Sequence, residues 1–388
     1  MNLGARGFVL RMVACSLLFD AFVPLSPFIA KNLSSSAETM EALLGMGMLV
    51  FAVAQYLSVP IVQCWGIQRI HAISALLVSA LAMLLTVAHG LPAFAIMLVL
   101  AFAVNGAGAT AGRAGLRNAS SHRGFQRLTA VSNAAMDTLA VAAPSVVMAI
   151  AATQGWRVAC AGLSGVLMIV SAMLMLDARR KGDVPVVPET GHECVKGLLR
   201  DPRFIRPTLL VILLQGPFSA MMIAKPAILL DEFQWPPSLV GPLISGVAAA
   251  TTGGFLFAGK CVGRMPEGRQ LLAGLCLQGL ACGLVVLSAI DATAGRFAFV
   301  AACVVSAWGF ALVLPLLTAM ALDGPADRRA QASGLFGLLD AAGTGAIVML
   351  AGLMPVTALG RLVVVTGGCF LVGIVLVTIV RPFAHEGN

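Results

Sequence analysis

The sequence predicts an all-α membrane protein of twelve transmembrane helices in two six-helix, pseudo-symmetric halves, and three observations predict it. First, 59% of the 388 residues are hydrophobic and 11% are charged, with a mean hydropathy of +0.95. A soluble domain is about 45–50% apolar and about 25% charged, so this chain has too little polar surface to coat a water-soluble globule. Second, apolar runs of about twenty residues, the length that crosses a hydrocarbon layer as a helix, recur along the chain. Third, a single long polar stretch, 178–206, interrupts them near the middle.

The runs place spans at 8–30, 41–62, 70–89, 91–113, 128–152 and 158–177, then at 207–230, 238–259, 270–290, 296–320, 331–353 and 360–381. The first follows Arg6, as a signal peptide would. It is too long for one, carries Asp20 and two prolines and lacks a small-residue cleavage site, so it reads as a retained span. The polar stretch holds Arg179, Arg180, Lys181, Asp183, Pro185, Pro188 and Glu189, and divides the chain into an N-terminal half (1–177), a cytoplasmic linker (178–206) and a C-terminal half (207–388).

A net charge of +8 would suggest nucleic acid in a soluble protein. Here the basic residues sit in short loops between apolar runs, which is the signature of membrane orientation, so no nucleic-acid partner is expected. With the N-terminus in the cytoplasm, the loops on that side hold Arg69; Arg117, Arg123 and Arg127; the cluster from Arg179 to Arg206; Lys260, Arg264 and Arg269; and Arg328 and Arg329. The other side holds only Lys31, Arg157, Arg296 and Arg361. Both termini are therefore expected in the cytoplasm, in a bacterial-type inner membrane. The expected partners are membrane lipid and a small-molecule substrate, and a monomer is expected. The nine cysteines are scattered, mostly within apolar runs and with no CxxC, so they read as small hydrophobes, not a disulfide framework or a metal site.

Each half carries a basic, glycine-containing loop after its second span: Gln63, Cys64, Gly66 and Arg69 in the first, Lys260, Gly263 and Arg264 in the second. Two related halves joined by a linker imply a solute site at mid-membrane between them.

Ionisable side chains inside spans cost about 2.5–3.5 kcal/mol each at the bilayer centre, so each is expected to face a cavity or a partner. Asp20 has Ser16 one turn earlier on its helical face, and Pro24 frees a carbonyl near it. It reads either as a carrier of a proton or a substrate cation, or as a structural carboxylate capped by hydroxyls. Asp137 shares a face with Asn133, and Asp340 lies near Phe336 and Thr344; both either line the cavity or pair with Lys225 or a terminal Arg. Span seven contains Gln215, Pro217, Lys225 and Pro226 and reads as a helix broken twice by proline. Lys225 either faces the cavity, with Asp340 as its counter-ion, or snorkels to the outer interface. Asn105 offers an amide in mid-span four, where Gly108 and Gly112 at small-xxx-small spacing permit close helix packing.

The stretch Gly254 to Cys261 nearly matches a P-loop, but Cys261 replaces the Mg-binding Ser/Thr and no strand precedes it. No H-E-x-x-H or G-x-S-x-G occurs, and the five histidines fall at span edges or in loops. No enzyme and no cofactor are expected, and uphill transport would draw on an ion gradient.

The whole chain resembles the major facilitator superfamily, and within it the drug:proton antiporter branch of bicyclomycin and chloramphenicol exporters. The resemblance rests on Asp20, Pro24 and Pro27, matching an Asp-x-x-x-Pro-x-x-Pro signature; on Gln55 and Pro60; on Ala143-Pro144 followed by Gly155-Trp156-Arg157; and on Leu199-Arg200-Asp201-Pro202-Arg203-Phe204. It implies rocking of the two halves around a central site, with Asp20, helped by Asp137, as the proton-coupling group. Asn105, Asn133, Gln215, Lys225 and Asp340 would line the substrate cavity. The chain departs from the family pattern at Gln63 and Cys64, where an Asp-Arg pair would build a cytoplasmic gate, so Gly66, Arg69 and Arg264 are a gate remnant. Phe102 stands where span four would carry an Arg, and Leu139 and Ala143 replace glycines of span five. The resemblance implies proton-coupled efflux of a small amphipathic molecule, an antibiotic or an endogenous metabolite such as a siderophore. Two alternatives stand beside it: uptake or facilitated passage of a small anionic or zwitterionic solute, and a receptor-like member that does not transport.

Overall fold

In hydrocarbon, every backbone N–H and C=O must find its partner within the chain, and a helix does so inside one segment. The computed structural model, which describes residues 3–181, 192–290, 294–324 and 328–378, is helical accordingly. Its elements are α1 (Leu3–Asn32), α2 (Ala37–Leu57), α3 (Val59–Trp65), α4 (Ile67–Leu85), α5 (Leu91–Asn118), α6 (His122–Gln154), α7 (Trp156–Lys181) and α8 (His192–Arg200). They continue with α9 (Pro202–Ala227) and a π-helical turn (Ile228–Glu232), α10 (Pro237–Cys261), α11 (Glu267–Ile290), α12 (Gly295–Ala321), α13 (Arg329–Leu353) and α14 (Ala358–Thr378). Each of the twelve apolar runs is helical, the second as the two helices α2 and α3. Among the described residues, nine helices are individually long and apolar enough to cross a membrane, and the bent pair α2–α3 makes a tenth; α1 and α6 correspond to the first and fifth runs.

Three local features differ from expectation. The second run bends by 49° at Ser58, just before Pro60 in the first turn of α3, where a missing amide donor and a fixed φ favour a restart. Span seven is not broken at Pro217: α9 runs through Pro207 and Pro217, and loosens into the π-helical turn only after Pro226. The polar linker contains the helix α8; residues 182–191, where Asp183, Pro185, Pro188 and Glu189 stand, lie outside the described residues.

The chain packs as two units. Unit 1 comprises Met1–Phe125, Thr138–Asp201 and Leu322–Leu338; unit 2 comprises Gln126–Asp137, Pro202–Ala321 and Leu339–Asn388. The first turns of α13 thus belong to unit 1 and its remainder to unit 2. The core of unit 1 is built around Phe22, Leu25, Ile29, Phe94, Leu98 and Trp156, with Phe94 and Trp156 edge to face at 6.0 Å. Arg157 fastens its rim. Its guanidinium donates to the carbonyls of Thr86 (2.8 Å) and Ala88 (3.0 Å) and to Asn32 Oδ1 (2.6 Å), joining the ends of α4 and α1 to the start of α7. In unit 2 the core gathers Met221, Ile228, Leu229, Phe299 and Leu362. There α11 and α12 approach so closely that a Cβ on Gly309 would lie 3.0 Å from the carbonyl of Gly274. The segment resembling a P-loop lies within α10, with Gly254 against Ala311.

Candidate functional site

In unit 1, α1 carries Asp20 on an uninterrupted helix. Its side chain, like those of Pro24, Pro27 and Pro144, lies outside the described residues. Nine positions earlier stands a charge that the span reading passes over: Arg11, 1% exposed. Its Nη2 donates to Ser74 Oγ on α4 at 3.0 Å and to Asn105 Oδ1 on α5 at 3.3 Å. Ser74 Oγ donates onward to the carbonyl of His71 at 3.0 Å. His71 is itself buried beside the Phe8 ring, with Nδ1 3.4 Å from the carbonyl of Gly108. A Cβ on Gly108 would fall 1.6 Å from Arg11 Nη2, and one on Gly112 would fall 3.1 Å from His71 Cε1. These glycines therefore make room for two polar side chains, and the amide oxygen of Asn105 faces Arg11.

Where α3 meets α4, Gly66 adopts φ +90°, a left-handed conformation that favours glycine, and its N–H bonds the carbonyl of Val62. Arg69 is exposed and Gln63 is buried. A network of further polar contacts lies in unit 1, on α2, α5 and α13. Arg113 on α5 donates to Gln55 Oε1 on α2, to Ser333 Oγ (3.3 Å) and to the carbonyl of Ser333 (3.2 Å) on α13. Ser333 Oγ donates to the carbonyl of Thr110 at 3.0 Å, and Thr110 Oγ1 to that of Gln55 at 2.8 Å. The first turns of α13 come close because they present glycines: a Cβ on Gly334 would lie 2.7 Å from the Gln55 carbonyl, and one on Gly337 would lie 2.0 Å from Gln55 Oε1. Just before α13, Asp323 pairs with Arg117 and approaches His122 Nδ1 at 3.4 Å. Arg329 donates to Asn118 Oδ1 at 2.8 Å. The His122 hydrogen bond first, then the His122 and Arg117 charges, hold the Asp323 carboxyl well below the usual carboxylate range, against a smaller opposing effect of partial burial.

In unit 2, Lys225 near the end of α9 is 4% exposed, so it does not snorkel into solvent. Its Nζ lies 3.4 Å from Met222 Sδ, with the Cys303 side chain as its electrostatic neighbour. Asp340, the expected counter-ion, does not pair with it. Asp340 is half-buried and is approached instead by Thr344 Oγ1 at 3.5 Å. Asp137 and Asn133, one turn apart on α6, are both half-buried, as is Gln215 on α9. A buried chain that sequence reading passes over runs from Gln126 Nε2 to Gln270 Oε1 (3.0 Å), and from Gln270 Nε2 to the carbonyl of Leu312 (2.7 Å). After α10, Gly263 adopts φ +77° and Arg264 is exposed. Among the described residues no group of three His, Cys, Asp or Glu side chains gathers as a metal-binding set.

Among solved structures, the chain is similar to FucP, a Major Facilitator Superfamily transporter in the outward conformation, with a TM-score of 0.78 at 9% identity over 97% of this chain and 98% of that one. It is similar to a bacterial homologue of the iron transporter ferroportin in the outward-facing state, with a TM-score of 0.76 at 16% identity over 97% and 99%. It is also similar to the human organic anion transporter MFSD10, with a TM-score of 0.73 at 13% identity over 97% of each chain. At such identities the likeness is one of fold. No curated protein matches by sequence. Residues 9–347 match the description of the Major Facilitator Superfamily, and with that match spanning most of its length the chain belongs to this superfamily of membrane transporters and is not an enzyme.

Proposed function

We propose that the protein is a proton-coupled secondary exporter of a small amphipathic molecule, an antibiotic or an endogenous metabolite such as a siderophore, in a bacterial-type inner membrane with both termini cytoplasmic. The observation that carries this reading is the division of α13, whose first turns are tied into unit 1 by Asp323, Ser333, Gly334 and Gly337 while its remainder belongs to unit 2. Alternating access needs contacts strong enough to populate one state and weak enough to release in the other. A partly exposed ion pair at Asp323 and a few buried hydrogen bonds at Ser333 meet that need, where a large apolar weld would not. In this reading Arg113, Arg117 and His122 take over the gating that an Asp-Arg pair at Gln63 and Cys64 would perform, beside the remnant Gly66, Arg69 and Arg264.

Coupling requires a group whose protonation favours one conformation and cargo that favours the other. Asp20 is that group, with Asp137 assisting; the half-buried Asn133, Gln215 and Asp340 border the path of the cargo. The test is gradient-driven export in vesicles. Asp20→Asn is expected to abolish proton-driven accumulation of cargo while leaving the folded protein's yield unchanged, and a variant that still exports against its gradient would refute the assignment.

One observation favours a second reading, passage of an anionic or zwitterionic solute. Lys225 is held inside unit 2 beside a thioether and a thiol, with no carboxylate paired to it among the described residues. An ammonium so placed is stabilised by an arriving carboxylate. Lys225→Ala is expected to raise KM for acidic cargo at least about tenfold, the equivalent of about 1.4 kcal/mol, if this reading holds. An unchanged KM would eliminate it.

A further inference from the structure

The helix α8 is unaccounted for by transport. Its nine residues arrange Val195, Leu198 and Leu199 at i, i+3 and i+4 on one face, and Lys196 and Arg200, four apart, on another. Val195 and Leu198 are half-buried, while Leu199 is 43% exposed; Lys196 and Arg200 are both exposed. The residues that follow directly add Arg203 and Arg206 in the first turns of α9. Counting Glu193 and Asp201, the stretch 192–206 has four Lys or Arg against two acids. One residue, Asp201, separates α8 from α9 in the chain, and its N–H bonds back to the carbonyls of Gly197 and Leu198, closing the C-terminal end of α8. A short helix with an exposed leucine and a basic stripe, next in sequence to a span, has the construction of an element that lies in the headgroup layer.

We infer that α8 is an interfacial helix that docks on anionic phospholipid: the exposed Leu199 inserts at the acyl boundary while Lys196 and Arg200 bind the lipid phosphates. The partner is the leaflet itself and not a soluble anion, because the exposed cations stand beside an exposed leucine, which a lipid surface accommodates and a free anion does not. Each cation near an anionic surface raises the docked population about fivefold, so removing two lowers it about 25-fold.

Hydrogen exchange of the full-length protein in nanodiscs tests this without labels. Amides of 195–200 are expected to exchange more slowly in discs containing phosphatidylglycerol than in phosphatidylcholine alone. Lys196→Gln with Arg200→Gln should erase that difference and leave exchange in α9 and α10 unchanged. Inorganic phosphate added to phosphatidylcholine discs should give no protection, which separates a lipid from a free anion. Equal exchange in the two lipids, protection that survives the double substitution, or protection by phosphate alone would overturn the inference.

Discussion

Arg11 sets the terms for unit 1 at the level of single residues. A guanidinium stays ionised, so its charge cannot be shed on burial; it is accommodated by two neutral acceptors, Ser74 and Asn105, and by the space that Gly108 leaves. Gly108→Ala would force a methyl into the volume of the guanidinium. It is expected to cost about 1–3 kcal/mol, as overpacking does, and to lower the melting temperature of the detergent-solubilised protein. Gly112→Ala, which meets only the edge of the His71 ring, should cost less; equal melting of Gly108→Ala and the unaltered protein would show that Arg11 does not sit there. The sequence identifies both glycines as points of close approach but not what approaches. Arg11 stands near the start of the first run, where a snorkelling cation is ordinary, and its partners are 63 and 94 residues away. Lys225 shows the reverse: its position marks it as notable, and its burial beside Met222, which speaks against snorkelling, comes from contacts that the sequence does not reveal.

Among the elements, α13 and the segment before it carry the proposed gate. The carboxyl of Asp323 is held below its unfolded value, so the Arg117 pairing contributes fully above about pH 4, the ordinary carboxylate pKa, and is lost only as pH falls through the lower folded value. Reactivity of a thiol introduced at Ala330, which is buried in unit 1, should therefore be flat from pH 5 to 8 if Asp323 alone governs release of the segment. Asp323→Asn should raise it up to about fivefold, the scale of a partly exposed ion pair of about 1 kcal/mol. A step between pH 5 and 8 that persists in Asp323→Asn would assign control to another group. At this scale the sequence is most legible: the twenty-residue apolar period locates each of the twelve long helices, because length and hydropathy are what the bilayer requires. It is blind to α8, whose nine amphipathic residues lie within a polar stretch, and to the bend at Ser58, where the apolar run continues without pause.

For the molecule as a whole, the weak repeat read from the sequence has a limited counterpart in backbone geometry. Gly66 and Gly263, in corresponding loops after the second span of each half, both take positive φ, as Gly155 does elsewhere, while the loops themselves differ in length, one residue between α3 and α4 against a turn between α10 and α11. The match to the Major Facilitator Superfamily and the likeness to its solved members place the chain among transporters. Cargo and direction depend on the few side chains that differ between members of a shared fold. The most direct test of proton-coupled export compares metabolites in cells and medium among strains with the protein, without it, and with Asp20→Asn. The account predicts a compound that accumulates inside and disappears from the medium both in the strain lacking the protein and in the Asp20→Asn strain. A compound depleted inside and left in the medium when the protein is missing, or export by Asp20→Asn equal to that of the unaltered protein, would contradict it.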